Sequence, residues 1–363
     1  MPARITFSPP ARDPQVAVGT VVFNTNRGSA GNSELCTVDY DGGSLDVLTD
    51  DPLYHTWFPQ VSPDRQHIVA CRCRVADISG TNWQDYGKVS IWRFRADGTE
   101  ATLLSDRPST HTSPVTWTAQ GTPHWSPDGQ QIVYFGGPVR AAPGALAGLV
   151  MDFDGNRRTR FYDDAANVTD PCFSHPDHFI NANPIDALLG AAGGAVRISR
   201  AIYACIAGGI WRFPSQQYDP AGTPEGITLI DDFTGYVADY DPTVDPSGRW
   251  LAWLTEFIND THYGIQCQAI NIANTGTPHI LWGSGGDIAD VNGNITSKPE
   301  FNRAGNRIFS HRYVGTGLAQ SYDGNDTAGS RLVRCNFDEQ TGVASSPVTI
   351  LNDAHVNEFP YPV

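Results

Sequence analysis

Charge is scarce in this chain, and positive charge most of all. Only 17% of the 363 residues are charged, and 24 Lys and Arg face 39 Asp and Glu, for a net charge of −15. A polyanionic backbone would be repelled, so nucleic acid is excluded as a partner class. No apolar run approaches the ~18 residues of a membrane-spanning helix, so no membrane span is expected. The opening residues, Met1 to Pro10, contain no apolar stretch of the secretory type, so no signal peptide is expected and the location reads as cytoplasmic or particle-associated. Seven cysteines occur, but no Cys-x-x-Cys, which argues against zinc. They fall on expected strands and read as small buried hydrophobes in a reducing compartment. Cross-links between copies in an extracellular assembly are the alternative. No Gly-x-Ser-x-Gly elbow occurs either, so a hydrolase of the nucleophile-elbow type is not expected.

Turn formers, by contrast, are plentiful: 36 Gly and 26 Pro. Many of them belong to one phrase that returns six times. Its copies are Phe58-Pro59-Gln60-Val61-Ser62-Pro63-Asp64, Thr122-Pro123-His124-Trp125-Ser126-Pro127-Asp128-Gly129, Asp170-Pro171-Cys172-Phe173-Ser174, Asp241-Pro242-Thr243-Val244-Asp245-Pro246-Ser247-Gly248, Lys298-Pro299-Glu300-Phe301-Asn302 and Phe359-Pro360-Tyr361-Pro362-Val363. The copies recur about every sixty residues, and the same interval holds from Pro360 around the ends to Pro59. A period of that size closing through the termini describes a circular array. After each phrase comes a turn, then β-branched and aromatic runs such as Ile68-Val69-Ala70-Cys71 and Trp250-Leu251-Ala252-Trp253, and often an Asp-x-Asp-Gly hairpin such as Asp39-Tyr40-Asp41-Gly42. The expected fold is all-β: a six-bladed β-propeller with four antiparallel strands per blade. The closing blade takes Pro360-Tyr361-Pro362-Val363 as its inner strand beside residues 20–24. Residues 1–363 read as a single propeller domain, with 1–18 as an N-terminal arm. The insertion 181–200 includes Ala187 to Ala192, a short helix candidate.

The phrase Pro-x-Phe-Ser-Pro-Asp-Gly, its following strand and its Asp-Gly hairpin resemble the TolB-like propeller repeat, and the resemblance runs from Gly19 to Val363. It implies the fold and little about function, because the repeat serves many purposes. TolB itself adds an N-terminal α/β domain and a secretion signal, and neither is seen here. Prolyl-oligopeptidase-type enzymes with similar propellers add an α/β-hydrolase domain, for which no residues remain.

Strand order places the loops from each fourth strand to the next inner strand on one face, together with the long second-to-third loops. Every expected blade sends a carboxylate to that rim, among aromatic residues. The candidate partner-binding residues are Asp51, Tyr54, His55, Trp57, Asp106, His111, Trp117, Asp164, Asp170, Asp232, Asp239, Asp290, His355 and Glu358. This reads as a non-catalytic protein-binding scaffold that takes a basic or cationic element of a protein partner on an acidic face. The plain alternative for each acid is a strand-end or turn cap. Two further readings stand beside the scaffold: a structural or decoration component of a larger assembly such as a virion, and a metal-assisted lyase or hydrolase in the channel. For the last, His55, His111 and His355 share the rim and could converge on a metal. Pectate-type lyases with a similar propeller use His and Gln ligands, but no matching motif appears. His175-Pro176-Asp177-His178 lies on the opposite face. No catalytic residue, metal ligand or cofactor is assigned.

Overall fold

The computed structural model describes residues 14–78, 85–106, 119–126, 128–137, 147–156, 159–162, 168–173, 201–206, 209–214, 228–231, 238–258, 263–271, 278–283, 286–289, 296–313 and 330–363. The strands are β1 (Thr20–Thr25), β2 (Glu34–Asp39), β3 (Asp46–Val47), β4 (Tyr54–Val61), β5 (His67–Arg74), β6 (Ser90–Arg95), β7 (Thr102–Ser105), β8 (Ala119–Trp125), β9 (Gln131–Gly137), β10 (Ala147–Asp152), β11 (Thr159–Tyr162), β12 (Val168–Phe173), β13 (Ala201–Ile206), β14 (Gly209–Pro214), β15 (Thr228–Asp231), β16 (Ala238–Val244), β17 (Trp250–Ile258), β18 (Tyr263–Asn271), β19 (His279–Gly283), β20 (Ile288–Ala289), β21 (Thr296–Phe301), β22 (Arg307–Tyr313), β23 (Ser330–Asp338), β24 (Val343–Leu351) and β25 (Asn357–Pro362).

They form separate sheets in chain order: β25-β1-β2-β3, β4 to β7, β8 to β11, β12 to β15, β16 to β20 and β21 to β24. We call these sheets I to VI. Each inner strand touches that of the next sheet, and β21 touches β25, so the sheets radiate around an axis. The all-β propeller expectation stands, but its regular form does not. Five sheets, not six, are blades of four antiparallel strands. Sheet V has five strands, and its outermost, β20, runs parallel to β19 through Trp282↔Ile288 and Gly283↔Ala289. The cause is local. Ile288 is apolar and buries itself with Leu281 and Trp282 in the seam against Phe337 and Ala344 of sheet VI. Beside it, Asp287 accepts a 2.7 Å hydrogen bond from the Ala344 amide. The segment therefore lies along the sheet edge and does not leave it.

The ring closes as the repeat interval requires. β25 pairs antiparallel with β1 through Val21↔Pro362, Val22↔Tyr361, Asn24↔Glu358 and Thr25↔Asn357. Two bonds finish the seam, from the Val363 amide to the Thr20 carbonyl and from the Gly19 amide to the Val363 carbonyl. Closure covers the inner edge of β1, which would otherwise be open.

The phrase has a physical meaning at each position. Its fifth residue is Ser62, Ser126, Asp245 or Asn302, and in every case the side-chain oxygen accepts from the amide five residues on: His67, Gln131, Trp250 and Arg307, at 2.7–2.9 Å. Three residue types thus perform one turn-closing bond. Its proline marks a break in the inner-strand ladder, because proline has no N–H to donate. The register shifts between Trp57 and Gln60, between Gly121 and His124, between Tyr240 and Thr243 and between Ser297 and Glu300. The residue before the proline takes positive φ at Phe58 (55°), Thr122 (46°), Asp241 (52°) and Phe359 (49°). These are bulges, and a bulge re-aims the side chain that follows it.

The core lies between the sheets. Val22 and Leu35 of sheet I pack with Ile68, Ala70 and Phe94 of sheet II. Val69, Ile91 and Leu104 of sheet II pack with Ile132, Tyr134 and Met151 of sheet III. The outer hairpins lock these seams. Gly98 has φ +81°, and a Cβ there would overlap the Leu48 carbonyl oxygen of sheet I. Gly155 makes the same approach to Leu104 of sheet II. The Asp-Gly signature thus serves the turn and the inter-sheet fit together.

The helix candidate at 187–192 lies outside the described residues, as do parts of the long second-to-third loops. Among the described residues no helix is long and apolar enough to cross a membrane.

Candidate functional site

The rim is best defined where sheets I, II and VI meet. Asp51 lies in the loop from β3 to β4, and its carboxylate pairs with the Arg72 guanidinium at 2.5 Å. Arg72 is buried. Its Nε donates to the Thr56 hydroxyl, and its guanidinium lies 4.1 Å from the Tyr54 ring centroid and 5.1 Å from that of Trp92. Tyr54 and Trp92 meet edge-on at 5.7 Å. A buried cation thus fixes two rim aromatics and one rim acid together.

Beneath this cluster sits Glu34, fully buried. Its carboxylate accepts from the Thr49 hydroxyl at 2.5 Å and from the Asp51 amide at 2.9 Å. Burial pushes its pKa up to about 7, while those two bonds and the nearby Arg72 restrain the rise. Glu34 therefore holds the loop that carries Asp51.

The other candidates divide by position. His55 accepts from the Ser33 amide through Nδ1 at 3.2 Å, and burial lowers its pKa. His355 contacts the Asn26 side-chain oxygen through Nδ1 at 3.3 Å, and burial together with the Arg27 charge lowers its pKa. Trp57 and Glu358 are fully buried, so they support the rim from below. Trp57 packs on Tyr86 and Phe359. Asp106 is exposed at the end of β7, where its carbonyl accepts from Gln120 at 2.7 Å. Asp170 and Asp239 lie on β12 and β16, and their side chains are outside the described set, whereas His111, Trp117, Asp164, Asp232 and Asp290 lie outside the described residues altogether. The acids Asp50 and Asp353 serve locally. Asp50 accepts from the Ser29 amide and hydroxyl, and Asp353 pairs with Arg27.

A cavity of about 140 Å³ opens on the rim of sheet II, lined by Tyr54 and Asp106 among others. Trp92 and Leu103 form its apolar wall, and Arg74, Asp77 and Lys88 add charges of both signs. Arg74 pairs with Tyr54 across β4 and β5. The rim is therefore not uniformly acidic here. The cations were not singled out from sequence, although Arg72 and Arg74 alternate on β5 and point to one side of the strand.

A second polar layer lies on the axis. At three phrases the residue after the proline is polar and buried: Gln60, Thr243 and Glu300. Gln60 of sheet II donates to the Glu300 carboxylate of sheet VI at 3.2 Å, and Thr243 of sheet V donates to the same carboxylate at 3.0 Å. Polar residues just after the proline at these three positions were the signal that could have identified this layer. Among the described residues no group of three or more His, Cys, Asp and Glu is placed to hold a metal ion.

No family model and no curated protein matches the sequence. Solved structures do. A TolB from Acinetobacter baumannii is 13% identical with a TM-score of 0.57, over 94% of this chain and 66% of that one. This chain thus spans just under two thirds of that TolB. The structure of a nidogen/laminin complex is similar over 91% of this chain and 93% of that chain, at 10% identity and a TM-score of 0.51. An oligogalacturonate lyase in complex with manganese is similar over 90% of this chain and 73% of that one, at 11% identity and a TM-score of 0.50. At these identities the likeness is one of fold. The chain has a β-propeller fold, similar to that of TolB.

Proposed function

We propose that this chain is a non-catalytic binding module that receives a protein partner on the loop face carrying Asp51, Tyr54 and Asp106. The observation that carries the reading is the preset rim. Asp51, Arg72, Tyr54 and Trp92 are held by one another on the rigid sheet II, so a partner would meet an ordered surface and lose little entropy in ordering it. The net charge of −15 favours a basic or cationic contact element. A chain of similar fold in a nidogen/laminin complex supports protein recognition in general terms.

The test uses oligolysine and oligoarginine peptides as probes, measured by calorimetry at low and moderate salt. Binding that weakens with salt, and weakens again in Asp77→Asn/Asp106→Asn, is the expected result. Peptide binding that ignores both the salt and the double variant counts against the acidic face.

A further inference from the structure

The cavity on sheet II has a composition that the basic-peptide reading does not explain. Arg74, Lys88, Asp77 and Asp106 bring two charges of each sign to its wall, and Lys88 is also paired with Asp85 at 3.1 Å. A simple cation or a simple anion would meet as many like charges as opposite ones, so neither gains on balance. A group that both donates and accepts gains from all four. Hydroxyls do this, since each offers one donor hydrogen and two acceptor lone pairs. Hydrogen bonds in which the protein side is charged are also the stronger kind.

The rest of the wall is apolar and fixed. Trp92 and Tyr54 stand edge to face, with the buried Arg72 guanidinium against both rings. The indole nitrogen of Trp92 donates to the Ser90 hydroxyl at 2.7 Å, and that hydroxyl donates to the Arg72 carbonyl at 2.8 Å. Ser90 is thereby committed to holding the indole. Leu103, on the short outer strand β7, is 42% exposed beside them and completes the apolar wall. The cavity, of about 140 Å³, has room for a small ring.

We propose that this cavity binds a single uncharged sugar ring, with its apolar face against Trp92 and Leu103 and its hydroxyls bonded to Arg74, Lys88, Asp77 and Asp106. Preorganised aromatic and charged groups of this kind suit a ligand that is polar at its edges and apolar on a face. The inference goes beyond the protein-binding reading and does not depend on it. The sugar could arrive free or as the terminal unit of a glycan on a partner, and the chemistry in the cavity is the same.

Saturation-transfer NMR on the full chain tests this with glucose, galactose, mannose and N-acetylglucosamine. Methyl glycosides and a glycopeptide form one arm, and free oligosaccharides the other. At least one neutral sugar should receive saturation on its ring protons. Trp92→Ala should weaken that sugar at least tenfold. Asp106→Asn, on the exposed end of β7, should weaken it at least threefold with no change in thermal midpoint, which keeps the test valid if Trp92→Ala fails to fold. Galacturonic acid and glucosamine, one anionic and one cationic, should bind no better than the neutral parent. No transfer from any neutral sugar overturns the proposal, as does a signal that survives Asp106→Asn unchanged or a charged sugar that outcompetes every neutral one. Oligolysine binding that persists while sugars fail leaves the acidic-face reading standing on its own.

Discussion

Replacing Glu34 by Gln should remove a loss of stability that this residue imposes as pH rises. Glu34 is fully buried, and its pKa is pushed from the ordinary 4.5 to about 7, first by burial. In the unfolded chain the same carboxyl titrates near its ordinary value. Below about pH 4.5 both states keep the proton and the group contributes no difference. Between 4.5 and about 7 the unfolded chain releases the proton while the folded one retains it, so stability falls as pH rises. Above about 7 both are ionised and the loss is complete. At ~1.4 kcal/mol per pH unit, the interval corresponds to roughly 3 kcal/mol. The substituted glutamine does not titrate. Its amide oxygen can still accept from the Asp51 amide, but its NH2 would face the Thr49 hydroxyl that now donates to Glu34, at a cost of about 1 kcal/mol. Glu34→Gln should therefore be about 1 kcal/mol less stable than the parent at pH 4.5 and about 2 kcal/mol more stable at pH 8. Urea unfolding at half-unit steps from pH 4.5 to 8.5 reads this as a difference curve crossing zero. A difference that stays flat across that range refutes the reasoning.

Gly98→Ala should cost more than 2 kcal/mol, because it adds positive-φ strain to an overlap with the Leu48 carbonyl. Gly31→Ala, at φ +73° with nothing within 4 Å, should cost only about 1 kcal/mol, and the contrast is measured by denaturant midpoints. Arg72→Ala should cost about 2–3 kcal/mol and reduce the near-UV circular dichroism of Tyr54 and Trp92, since it removes the cation between them and leaves Asp51 unpaired. Deleting residues 357–363 should end single-step unfolding and expose dye-binding surface, because β1 and the strands of sheet VI that β25 touches lose their partner. Burial pushes the thiols of Cys36, Cys73 and Cys335 up to about 12 and raises that of Cys267 also, so all four should resist a thiol reagent at pH 8 until the protein is unfolded.

The periodic part of this protein was legible because it is local. Ser62, Ser126, Asp245 and Asn302 each need only five residues of chain to make their turn, so a short phrase can specify them. Ring closure was legible because the repeat interval carries through the termini. The regularity expected of every blade was not met at sheet V. There a single apolar residue, Ile288, found a seam formed by Phe337 and Ala344, about fifty positions later in the chain. What the individual acids do was not legible, since Asp51 and Arg72 are brought together by the pairing of β4 with β5, and Asp353 meets Arg27 only once the ring is closed.

By itself the order of amino acids determined the strands, their turns, the acidic balance and the circular plan, each of which follows from residues near one another or from a sum over the chain. Only the tertiary structure decided which charges are matched, that Trp57 and Glu358 are interior, and that Gln60, Thr243 and Glu300 meet on the axis. Those outcomes depend on distances between different sheets. Such distances are set by how side chains fill the seams, and no short stretch of sequence contains them.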